Sequence, residues 1–151
     1  MERGDIGPNT FILDTSVIVK WFSDEDFSDI ALKIREKIFR NEIYAVIPEL
    51  VLYELTNSLR NKKELSREIL KEVMNSFVDM RLDFAYPTIE IIENTVDLSY
   101  KFEITTYDAY FLALAEQLSV KFITADFKLY EKVKSELDFV IYLPDVVKLL
   151  F

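Results

Sequence analysis

Four acidic residues, Asp14, Glu54, Asp108 and Asp126, carry the chemical potential of this chain, which contains no His and no Cys. Without imidazole or thiolate, the common proton shuttles, nucleophiles and zinc ligands are missing. Catalysis would therefore rest on carboxylates, hydroxyls, Lys, Arg and a hard cation. Asp14 and Asp126 close short apolar runs at the ends of predicted strands. Asp108 falls in the first turn of a predicted helix that follows Thr105 and Thr106. Glu54 lies inside a largely apolar helix between Tyr53 and Leu55, with Asn57 one turn on along the same face. The hydroxyls of Thr15, Ser16 and Thr124 flank the strand-end acids, where they could position a water, a metal or a phosphate oxygen.

Each of these residues also has a plainer reading. Asp14 and Asp126 stand where an N-cap would, a role worth about 1 kcal/mol. Asp108 is placed to complement the helix dipole, worth about 0.3–1 kcal/mol. Glu54 and Asn57 could decorate a solvated face, and Thr15 and Ser16 could be caps. Glu49, Glu103 and Asp145 read as first-turn, surface or terminal charges. What separates the readings is concurrence: carboxylates gathered at one crevice repel and raise one another's pKa, so four converging acids call for a cation.

The elements that must position them follow from the pattern of apolar residues. Thr10 to Leu13, Tyr44 to Ile47, Lys121 to Ala125 and Phe139 to Tyr142 read as four short strands. Between them, helices are predicted from Val17 to Phe22, Phe27 to Phe39, Leu50 to Lys62, Ser66 to Met80, Ile89 to Phe102, Tyr107 to Leu118 and Phe127 to Ser135, with a short one after Pro144. Pro87 reads as a chain break. Alternating strands and helices imply an α/β fold with a central parallel sheet between helical layers, and in such sheets ligands bind beyond the carboxyl ends of the strands. Both Asp14 and Asp126 occupy such ends. The Tyr and Phe residues fall mostly at core positions.

Composition bounds the alternatives. The 151 residues, 50% hydrophobic and 14% aromatic, suit one domain over residues 1–151, and two Gly and four Pro imply short loops. Both Gly residues precede the first strand, so neither a P-loop nor a dinucleotide-binding loop can be built. Absence of Cys fits a cytoplasmic protein, and neither a signal peptide nor a membrane span is expected. A net charge of −9 argues against a broad basic surface for nucleic acid. The argument weakens if the carboxylates hold divalent cations that themselves attract phosphate. The one notable basic cluster, Arg60, Lys62, Lys63, Arg67 and Lys71, surrounds a predicted turn and reads as a solvated turn.

The segments Phe11 to Val17, Tyr53 to Leu59, Thr105 to Ala115 and Phe122 to Asp126 together resemble, in order and spacing, those of PIN-domain ribonucleases. The likeness extends from about Thr10 to Tyr142 and is greatest to the VapC-type toxins of prokaryotic toxin–antitoxin pairs. It implies a three-layer α/β/α sandwich and a Mg²⁺- or Mn²⁺-dependent endoribonuclease site formed by Asp14, Glu54, Asp108 and Asp126. Thr15, Ser16, Asn57 and Thr124 match supporting positions. The resemblance further implies an RNA substrate, a small antitoxin partner and a homodimer. Two other readings stay open here. A haloacid-dehalogenase-like phosphatase would also start from Asp14, but it needs a second acid at the position of Ser16. A non-catalytic module would keep the fold alone.

Overall fold

Four consecutive buried residues, Thr10–Leu13, form strand β1. A run shielded on both faces is what a central strand of a parallel sheet requires. The computed structural model describes residues 6–151; residues 1–5, on which the expectation about a signal peptide partly rests, lie outside them. β1 pairs in parallel with β2 (Tyr44–Pro48) through Phe11↔Ala45, and with β4 (Lys121–Thr124) through Ile12↔Phe122. β3 (Asp83–Ala85) joins outside β2, and β5 (Val140–Tyr142) outside β4, which gives the order β3-β2-β1-β4-β5.

The chain steps one way from β1 to β2 to β3 and the other way from β4 to β5. Right-handed crossovers then place the connecting helices on opposite faces of the sheet. Helices α1 (Thr15–Ile18), α2 (Ser28–Phe39), α3 (Leu50–Arg60) and α4 (Arg67–Asp79) belong to the first set. Helices α5 (Ile89–Phe102), α6 (Thr106–Leu118) and α7 (Phe127–Val133) belong to the second, and α8 (Val146–Leu150) ends the chain. The direction reverses between β1 and β4, so the crevice at their carboxyl ends is the place where an open α/β sheet binds ligands.

Packing differs between the two layers. α6 is buried over Ala109 to Ala115, and its Phe111 stacks on Phe122 of β4 at 5.6 Å between ring centroids. An apolar helix of this kind is a core element, and a side chain in its first turn is held with little play. In the other layer the single Trp of the chain, Trp21, lies 6% exposed and donates from Nε1 to the Ala31 carbonyl at 2.8 Å. Its ring sits 6.5 Å from that of Phe77, which also meets Phe22 and Phe84 edge to face.

Three expectations need correction. Five strands are present where four were predicted, because the three-residue β3 pairs along one edge only and shows no alternation long enough to read. The helix expected from Val17 to Phe22 is a four-residue α1 followed by a 3-10 turn over Val19–Trp21. The helix expected from Phe27 begins at Ser28, because Phe27 adopts a left-handed backbone with φ 65°. Among the described residues, no helix is long and apolar enough to cross a membrane.

Candidate active site

Asp14 leaves β1 in an extended conformation, and its N–H donates to the Ile123 carbonyl of β4 at 2.9 Å. It occupies the N-cap position of α1 but its side chain caps nothing. Instead Oδ2 accepts from Ser16 Oγ at 2.7 Å and from Thr124 Oγ1 at 2.8 Å. Ser16 Oγ in turn accepts the Ala125 N–H at 2.9 Å, and Thr124 Oγ1 accepts the Asp126 N–H at 3.0 Å. A hydroxyl has one proton to give. Because both hydroxyls receive backbone N–H groups, both protons are directed at Asp14, and the carboxylate is oriented from two sides at once.

Glu54 stands in the second turn of α3, half-buried, and its Oε1 accepts from Thr15 Oγ1 at 2.9 Å. Thr15 and Ser16, adjacent in α1, thus hold one acid each. Asp108 lies half-buried in the first turn of α6, where Thr105 Oγ1 accepts its N–H at 3.1 Å. Asp126 caps α7, with Oδ1 accepting the Leu129 N–H at 3.1 Å. The capping reading therefore holds for Asp126 and fails for Asp14. Asn57 is exposed one turn beyond Glu54 and takes no part in this network.

The acids share an electrostatic field. Burial above all, assisted by the charges of Asp108 and Glu54 and opposed by the Ser16 and Thr124 hydrogen bonds, raises Asp14 from its ordinary 3.8 to about 7. Burial also raises Glu54, assisted by Asp108 and opposed by Thr15. Asp108 is raised by burial and by Asp126, with Thr105 and Lys132 opposing. All the donors are oxygen, which suits a hard divalent cation. Among the described residues, no three of these carboxylates are close enough to clasp one ion as they stand. Without a cation between them, the four like charges repel one another. The donor chemistry fits a divalent metal.

Two features of this end of the sheet escaped the sequence. Glu49, read there as a first-turn charge, follows β2 and is half-buried, with Oε2 enclosed and without a hydrogen-bond partner. The Tyr110 hydroxyl of α6 is likewise enclosed and unpartnered, and burial and the Glu49 carboxylate raise its pKa. Glu49 stands beside the phenol without closing a well-formed hydrogen bond to it. Lys132 of α7 is a cation that Asp108 senses, and its Nζ is fixed on the Glu103 carbonyl at 3.0 Å. Part of the basic cluster is already engaged: Lys62 meets Glu25 at 3.8 Å and Arg67 meets Glu68 at 3.2 Å.

A five-stranded parallel sheet in this order, with acids gathered at its β1/β4 switch point, agrees with the family comparison: the PIN domain model matches residues 11–135. The chain belongs to the PIN-domain family. A curated relative, Ribonuclease VapC3 of Pyrobaculum aerophilum, is 27% identical over 128 residues, spanning 80% of this chain and 92% of that one. Among solved structures, PAE2754 from Pyrobaculum aerophilum superposes with a TM-score of 0.65 at 19% identity, covering 97% of this chain and 98% of that one. VapBC2 from Rickettsia felis, bound to a DNA fragment from its promoter, superposes with a TM-score of 0.65 at 16% identity, covering 88% and 98%. At these identities the structural likeness carries the fold.

Proposed function

We propose that this chain, as one domain over residues 1–151, is a metal-dependent endoribonuclease that cleaves RNA phosphodiester bonds and acts as the toxin of a toxin–antitoxin pair in the cytoplasm. The observation that carries the reading is Asp14: a buried carboxylate, oriented by two hydroxyls and surrounded by further acids that it repels. An arrangement that costs the fold stability is explained by a cation that the protein binds. The family membership and the curated ribonuclease relative support the substrate class.

Asp14, Glu54, Asp108 and Asp126 would hold Mg²⁺ or Mn²⁺. When bound, such a cation lowers the pKa of a water ligand and neutralises charge developing on a phosphate. The chain's own part is to set the donors in place. Ser16 and Thr124 fix the plane of Asp14, Thr15 fixes Glu54, and the packed α6 fixes Asp108. Asp126 has spent one oxygen on its cap, which suits an indirect role in the site.

A small antitoxin would cover the site; a toxin–antitoxin complex from Klebsiella pneumoniae shares the fold and supports a partner of this kind. A second copy of the chain has a surface to meet: Ile89, Ile92, Val96 and Tyr100 stand exposed along one side of α5. The test is cleavage of single-stranded RNA by the purified chain with Mg²⁺ or Mn²⁺, with EDTA, and by Asp14→Asn. Cleavage that survives chelation or the substitution would refute the proposal.

A further inference from the structure

The carboxyl edge of the sheet does not end at the acids. Tyr142, the last residue of β5, is the ladder partner of Thr124, whose hydroxyl holds Asp14. Three rings surround Tyr142: Tyr130 stacked at 5.5 Å, Phe127 tilted at 5.4 Å and Phe27 edge-on at 6.2 Å. Covering the edge strand accounts for the half-buried inner pair, Tyr130 and Tyr142. It does not account for the outer rings, since Phe127 is 53% exposed and Phe27 40%. Phe127 directly follows Asp126, and Phe27 holds its place with φ 65°, a conformation that bulky residues rarely adopt.

Strands lie about 4.8 Å apart, so this cluster stands roughly 10 Å along the sheet edge from Asp14, within reach of a nucleotide next to one whose phosphate meets the acids. The outer rings of Phe127 and Phe27 are apolar, and the cation over the cluster, Lys134, lies on the inner ring of Tyr130 at 5.7 Å, so the exposed rings suit the face of a base better than a phosphate. A chain of net charge −9 also lacks the broad basic groove that usually provides affinity for a single strand. Beside a phosphate contact through the cation, stacking on aromatic rings is a further sequence-tolerant source of such affinity.

We propose that Phe127 and Phe27, supported by Tyr142, form a stacking subsite for a base of single-stranded RNA flanking the scissile phosphate. The inference rests on the ribonuclease reading and deepens it. It is tested by fluorescence anisotropy in the non-cutting Asp14→Asn background, using labelled single-stranded oligoribonucleotides that carry one abasic nucleotide moved along the strand. One abasic position should weaken binding roughly fivefold to a hundredfold. Phe127→Ala should weaken binding of the intact strand by a similar factor and erase that abasic penalty. Phe127→Trp should restore both, and the melting temperature of Phe127→Ala should fall by no more than about 2–4 °C, since only part of the ring is covered by Tyr142.

Unchanged affinity in Phe127→Ala and Phe27→Ala overturns the subsite. So does a loss that is equal for intact and abasic strands, or an effect of these substitutions on a partner protein without one on RNA. The two readings fail separately. An unsubstituted chain that binds with the abasic signature yet never cuts with Mg²⁺ or Mn²⁺ sinks the nuclease and leaves the subsite. One that cuts without the signature does the reverse, and one that neither binds nor cuts RNA overturns both.

Discussion

Replacing Asp14 by Asn should stabilise the metal-free protein, and the gain should grow with pH. In the folded chain Asp14 titrates at about 7 against an ordinary 3.8, and at about 1.4 kcal/mol per pH unit its ionisation costs the fold about 4 kcal/mol. Between pH 4 and 7 the folded state therefore holds a proton that the unfolded state has released, and stability falls as pH rises through that window. The Asn side chain is neutral throughout and can still accept from Ser16 and Thr124. In EDTA the variant should thus exceed the unsubstituted chain by about half a kcal/mol at pH 4 and by about 4 kcal/mol at pH 8. For a chain of this size, the latter amounts to roughly 8–16 °C in melting temperature. Glu54 and Asp108 are raised as well and steepen the fall in the same direction. Mn²⁺ should close the gap, because a ligand at a hundred times its Kd adds about 2.7 kcal/mol to the protein that binds it, and at a thousand times about 4.1 kcal/mol, which nearly cancels the deficit at pH 8. Thermal melts of both proteins across pH 4 to 8, with EDTA and with Mn²⁺, measure all of this. Melting curves in EDTA that run parallel across the range would refute the claim that Asp14 is a buried, destabilising charge.

Asp126 has a cap to lose as well as a charge: Asp126→Ala should cost about 1 kcal/mol, Asp126→Ser should restore that stability, and both should cut RNA slowly. A Ser variant with full activity would reduce Asp126 to a helix cap. Thr124→Val removes a donor to Asp14 and the acceptor of the Asp126 N–H, so denaturant titration should show a loss of about 1–3 kcal/mol. It should also raise the pKa of Asp14, moving the acid limb of the rate–pH profile upward; an unmoved limb would contradict that hydrogen bond. Tyr110→Phe deletes a buried hydroxyl with no partner, and stability should stay level or rise by up to about 1 kcal/mol. A clear loss in the same titration would show that the hydroxyl bonds to Glu49 after all.

The strands that hold Asp14 and Asp126 were legible because each is a short apolar run closed by an acid, and the α6 segment because its cap at Thr105 and its apolar length agree. β3 was not legible: only Ala85 of its three residues is buried, and its pairing with β2 depends on a neighbour far away in the sequence. The same limit applies inside the site. That Asp14 would cap nothing goes with its hydrogen bond from Thr124, 110 positions on, whereas the cap that Asp126 places on Leu129 is local. Helix spacing and the family resemblance both drew Asn57 to Glu54; the residue is exposed and bonds to neither the acid nor its hydroxyl partner. Glu49 read as a plain first-turn charge, and Tyr110 as one of the core aromatics, because nothing local distinguishes a helix-start acid that is exposed from one folded against a phenol.

Trp21 closes the turn that starts at α1, only a few residues beyond the Thr15 and Ser16 hydroxyls. As the chain's one indole, held on the Ala31 carbonyl and beside Phe77, it makes the emission excited at wavelengths beyond tyrosine absorption the signal of a single, located fluorophore. Titrating a divalent ion into the unlabelled protein then becomes an optical measurement, with the reporter built into the segment that grips two of the acids.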